Sequence, residues 1–156
     1  MLRSLLFCSV ALCVCAAAAD KYAGPKPEKA DVPYLIQAGN LIQTEVAEAT
    51  ESHQKKNTIY TVPGASSPAK TPLAEPSFIL LSKTVSPETL QLFQFQVVNG
   101  ARQVVIGKHQ AEPFHLSVRN LGQGLYQIDV ADTLENGEYA LSPTGSNTSF
   151  CFAVVP

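Results

Sequence analysis

From residue 77 to the last residue, apolar side chains come in short runs, and every run ends on a turn signal. That pattern forbids long helices and asks for a stack of short strands. Phe78–Leu81 is apolar on both faces. Leu92–Val98 alternates, with Phe93, Phe95 and Val97 opposite Gln94 and Gln96. Asn99-Gly100 follows, the dipeptide best suited to a two-residue hairpin turn. Gln103–Ile106 returns. Phe114, Leu116 and Val118 then alternate with His115, Ser117 and Arg119. Leu125–Val130, Gly137–Leu141 and Phe150–Val155 complete a set of seven strands. Ser86-Pro87-Glu88 reads as a turn or one helical turn with Ser86 as its cap. Spacing of this kind is expected of an all-β sandwich.

One corner is more specific. Leu134-Glu135-Asn136-Gly137-Glu138-Tyr139 leads from one strand into the next. It resembles the tyrosine corner of immunoglobulin-like and fibronectin-III-like sandwiches. There the hydroxyl bonds back to the backbone a few residues upstream. The chain is also similar to exported bacterial proteins of uncharacterised function whose last strands follow a Gly-Glu-Tyr corner. The resemblance implies an immunoglobulin-like sandwich over residues 77–156 and no activity, because fold does not carry function. Immunoglobulin domains proper have a tryptophan and a cysteine pair in the core; this stretch has neither.

The region before residue 77 is less regular. Residues 1–19 carry Arg3, an apolar stretch from Leu5 to Cys15 and Ala17-Ala18-Ala19, which is the layout of a cleaved export signal. A lipidated Cys13 or Cys15 is disfavoured, because Leu12 and Val14 stand where a small residue is wanted. Residues 20–31 hold two prolines, a glycine and six charges and read as a flexible arm. Residues 32–76 form an N-terminal β extension. Tyr34–Ile36 and Leu41–Ile42 suggest a hairpin turning at Gly39-Asn40. Thr44–Glu51 is read as strand rather than helix. Glu51–Asn57 is a polar loop, and Thr58–Val62 is a strand. Pro68, Pro72 and Pro76 keep the following loop extended.

The last strand sets a packing condition. Phe150, Phe152 and Val154 face one way, Cys151, Ala153 and Val155 the other. Both faces are apolar, so both must be covered. Residues 32–62 are the natural cover. An exposed edge that recruits a partner is the alternative.

Charge excludes some functions. Charged residues are 15% of the chain. After residue 19, ten Lys plus Arg stand against thirteen Asp plus Glu. No basic patch for nucleic acid and no run of like charge is present. No later stretch is long and apolar enough to span a membrane. Once the signal leaves, Cys151 is the sole cysteine, so no internal disulfide can form; between two phenylalanines it reads as a small buried hydrophobe.

Catalytic and cofactor patterns are weak. His53, His109 and His115 lie in no ligand spacing, and Pro113 breaks any helix that would align His109 with Glu112. Gly64–Thr71 approaches a phosphate loop, but Pro68 and Pro72 remove amide donors and prevent the helix it needs. Ser66 or Ser67 with His109 and Asp129 or Asp132 makes a trio on paper only. Asn147-Thr148-Ser149 is an N-glycosylation sequon. No catalytic, metal or cofactor residue is therefore assigned. The expectation is an exported, non-catalytic sandwich module that contacts an envelope or extracellular protein. Its contacts would be edge strands, the loop 63–76, or the faces bearing Gln94, Gln96 and Gln103. The alternative is a small exported hydrolase or carbohydrate-binding protein with a site built from loops.

Overall fold

The computed structural model describes residues 21–107 and 112–156. Residues 1–19, where an export signal is expected, and His109 lie outside the described residues. Thirteen strands follow in chain order: β1 (Pro33–Gln37), β2 (Asn40–Gln43), β3 (Glu45–Glu48), β4 (Thr50–Gln54), β5 (Asn57–Pro63), β6 (Lys70–Thr71), β7 (Ser77–Leu81), β8 (Leu90–Val98), β9 (Ala101–Ile106), β10 (Leu116–Gly122), β11 (Leu125–Val130), β12 (Gly137–Pro143) and β13 (Thr148–Val154). A single 3-10 turn covers Pro87–Thr89; Ser86 precedes it without a side-chain cap bond. Among these residues no helix is long and apolar enough to cross a membrane.

The protein is an all-β sandwich of two sheets. One sheet has the order β10-β11-β7-β1-β2. The other runs β3-β13-β12-β8-β9-β5-β4, with β6 added parallel to β13. Leu35, Phe78, Leu80, Ile128 and Val130 from the first sheet pack on Leu92, Tyr139, Leu141, Phe150 and Phe152 from the second. The Phe152 ring meets Phe78 edge-on at 5.1 Å and stacks on Tyr139 at 5.6 Å. Burying each such ring contributes roughly 1.5–3 kcal/mol. The Tyr139 hydroxyl donates to the Glu135 carbonyl at 2.7 Å, the backward bond expected of the corner.

The second sheet does not end in two free edges. Its terminal strands β3 and β4 are separated by Ala49 alone, whose N–H donates to the Asn147 carbonyl. Residues 45–54 thus pair with β13 through their first half and with β5 through their second. All six neighbour pairs around this ring are antiparallel. The sheet closes into a small barrel, and β8, β12 and β13 are common to barrel and sandwich. The last strand is therefore covered on both faces. Phe150, Phe152 and Val154 lie in the sandwich core, and Cys151 and Ala153 are buried on the other side. The cover comes from residues 45–71 together with Phe95 and Val104, whereas β1 and β2, also expected to supply it, lie in the first sheet.

Three local expectations are corrected. The first hairpin turns at Ala38-Gly39, both at positive φ, and not at Gly39-Asn40. Asn40 instead pairs with Gln37 as the first residue of β2. Glu51–Gln54 belongs to β4 and not to a loop; the turn shrinks to Lys55-Lys56. All five β4 residues are exposed, so backbone pairing holds this strand and no apolar pattern marks it. His115 precedes β10, next to the isolated bridge of Phe114 with Leu92; its N–H goes to the Asp132 carboxylate and its carbonyl accepts the Ala131 N–H. Asn99-Gly100 turns as expected, with φ of 50° and 75°.

Asp31 fastens the N-terminal arm to the sandwich. Its carboxylate accepts the Lys83, Thr84 and Val85 N–H groups and the Thr84 hydroxyl. Partial burial pushes its pKa up, but those donors outweigh it and hold the pKa at about 2.

Candidate functional site

Strand register decides what faces the barrel interior. Ala47 and Ala49 from residues 45–54, Ala140 and Ser142 from β12, and Ser149 and Cys151 from β13 form a wall of small side chains. Opposite stand Tyr60 and Val62 from β5, Phe93 and Phe95 from β8, and Val104 from β9. These residues pack into one cluster deep in the barrel, but the small ones do not fill the space toward its open end. A cavity of about 250 Å³ remains between them, rimmed by Ser146, Asn147 and Gln91. The hairpin β8–β9 contributes to the opening. It pairs only over Gln96–Val98 with Ala101–Gln103, so the two strands part where Phe93 and Ile106 line the space.

The other end of the barrel is closed by charge. Arg102 is 1% exposed, yet its side chain is a cation. Its Nη1 and Nη2 donate to both Glu45 carboxylate oxygens at 2.6 and 2.9 Å, a fork on a fork. Nε donates to the Gly64 carbonyl, and Nη2 also to the Pro63 carbonyl. Glu138 lies 3.9 Å from Nη1, and the Phe95 ring centre 6.0 Å from the guanidinium carbon. Four guanidinium donor bonds and a second carboxylate nearby are what permit so deep a burial of charge. The bond from Arg102 holds the Glu45 carboxyl below the usual carboxylate range, although burial opposes it.

The proline-bearing loop seals the same end. Ser67 donates its N–H to Glu138 Oε2 and its hydroxyl to the Cys151 carbonyl. Ala69 and Thr71 then accept backbone bonds from Ala153 and Val155. The segment Gly64–Thr71 runs into strand β6 and not into a helix, and a carboxylate already occupies its Ser67 amide. Burial pushes the Cys151 thiol up to about 12, with Arg102 pulling weakly against it. It stays protonated at neutral pH and is a poor nucleophile.

The other singled-out residues are scattered. Ser67 is tied to β13 as described, while Ser66 is exposed. Asp129 accepts from Ser77 and Gln127. Asp132 accepts the His115 N–H and faces its ring at 3.1 Å, on the surface. His53 pairs with Glu51 on exposed β4. Glu112 is exposed, and so are Gln94 and Gln96; Gln103 is half-buried. Asn147 of the sequon is exposed at the β12–β13 turn, with Thr148 bonded to Glu48. Among the described residues no group of three His, Cys, Asp or Glu is placed to hold a metal.

Sequence reasoning missed Arg102, Glu45 and Glu138. A signal was present: Arg102 shares the inward parity of Val104 and Ile106, and Glu45 that of Ala47 and Ala49. A charge in an apolar register asks for a partner. Comparisons with protein-family models, curated proteins and solved structures found no match.

Proposed function

We propose that the chain is an exported, non-catalytic sandwich module of immunoglobulin-like type that works by contact with another envelope or extracellular protein. The observation that carries this reading is the use made of its converging charges. Arg102 is bound by Glu45 and by loop carbonyls, and Glu138 lies beside it and accepts the Ser67 N–H, so these charges serve closure of the barrel. The immunoglobulin-like type is supported by strand order. β1-β7-β11-β10 opposite β13-β12-β8-β9 follows the A-B-E-D and G-F-C-C′ pattern in chain order, with β2–β6 inserted between the first two strands. The Tyr139 bond to Glu135 supports it further. Export rests on the layout of residues 1–19. Contact would use the free edges β2 and β10, whose outer backbone groups can accept another strand.

Two experiments test this. N-terminal sequencing of the protein recovered outside the cytoplasm of its source should begin at Asp20; retention with residues 1–19 intact would end the export reading. Crosslinking in the same envelope fraction should capture a partner that is lost when Ile42→Pro or Val118→Pro blocks an edge. Identical capture by both folded variants would refute the edge contact.

A further inference from the structure

We propose that the barrel interior is a binding site for a neutral, flat, mostly apolar ring compound carrying one hydroxyl or similar hydrogen-bonding group. This goes beyond the module reading and does not depend on export. Closed barrels of few strands are ordinarily filled by their own side chains. Here three adjacent strands present only Ala, Ser and Cys toward the open end, with Glu45 and Glu138 turned to Arg102 at the other, and about 250 Å³ is left unfilled. A cavity of about 150 Å³ holds benzene, so this one matches a fused two-ring compound.

The walls define the chemistry. Tyr60, Phe93 and Phe95 line one side, and Ala49, Ala140, Ser142 and Ser149 line the other, which suits an aromatic guest. Ser142 and Ser149 hydroxyls lie 3.3 Å apart on that wall. Each retains hydrogen-bonding capacity for one polar group of the guest. No described residue lining the space is charged, because Arg102 and its carboxylates close the opposite end. An ionic guest would lose hydration without compensation. A sugar would leave most of its hydroxyls unpaired against the aromatic side.

The probe is 2-naphthol, titrated into the purified protein by calorimetry and by its own fluorescence. The chain has no tryptophan to interfere. Saturable one-to-one binding is expected, weakened about tenfold or more for naphthalene-2-sulfonate and for Ala140→Leu, which fills the space. Should Ala140→Leu lose its cooperative melt, Ser142→Leu nearer the mouth asks the same question. Absence of saturation overturns the proposal. So does equal binding of the sulfonate, or undiminished binding by a folded filling variant.

Discussion

Strands β12 and β13 separate two interiors built on opposite rules. On the sandwich side Phe78, Tyr139, Phe150 and Phe152 interlock, each fully buried, with Phe114 and Leu116 half-buried at the margin. On the barrel side the same strands show Ala140, Ser149 and Cys151, and the space is closed by an ion pair at one end and left open at the other. The difference lies in one residue step along β13, because successive side chains point to opposite faces. Dense apolar packing gives the molecule its stability. The looser chamber, made by residues 45–63 wrapping the back of the sandwich, leaves about 250 Å³ beside aromatic side chains.

The contrast can be broken first at β13 itself. Phe152→Ala should cost about 3–5 kcal/mol, because the ring leaves a cavity in a close-packed core. Neighbouring Cys151→Ala, on the loose side, should cost about 1 kcal/mol. Urea unfolding of the two variants measures the gap; equal losses would mean that the chambers are packed alike.

Next comes the ionic end. Arg102→Met leaves Glu45 and the Pro63 and Gly64 carbonyls without their donor. A loss of about 3 kcal/mol is expected. Adding Glu45→Leu should recover part of it, since the stranded carboxylate is then gone; a double variant no better than the single would contradict the pairing. Tyr139→Phe is smaller, about 1 kcal/mol for the lost bond to Glu135. It should lower the thermal midpoint without altering 2-naphthol binding, because the hydroxyl belongs to the corner and not to the cavity.

The finest probe is alkaline pH. The Cys151 thiol is raised to about 12 in the folded protein against 9.0 ordinarily. Its contribution is complete below about pH 9 and is lost as pH rises toward 12, since the unfolded chain then releases the proton and the folded one holds it. Cys151→Ala should flatten that part of the stability profile. An unchanged slope would place the thiol in contact with water.

Much of the sandwich was legible in the sequence. Period-two runs, Asn99-Gly100 and the Leu134–Tyr139 corner each encode local geometry, and the two apolar faces of β13 announced a second cover. The closure of the barrel was not legible, for a physical reason. β4 is exposed at every residue and is held by backbone pairing and one bond between His53 and the Thr58 hydroxyl. Such pairing leaves no mark on side-chain hydrophobicity. Arg102 and Glu45 are 57 residues apart in the chain, and only register brings them together. The cavity depends on the juxtaposition of Ala49, Ala140 and Ser149 from three stretches of chain, each unremarkable alone.

The central claim is that residues 45–54 bridge β13 and β5 and so close the second sheet. Nuclear Overhauser contacts in the purified monomer test it most directly. The account predicts interstrand contacts between Val46 and Phe150 and between Glu51 and Tyr60 in the same molecule, with slow exchange of the Ala49 amide. Contacts of Glu51 with Tyr60 but none of Val46 with Phe150, together with fast exchange at Ala49, would contradict it.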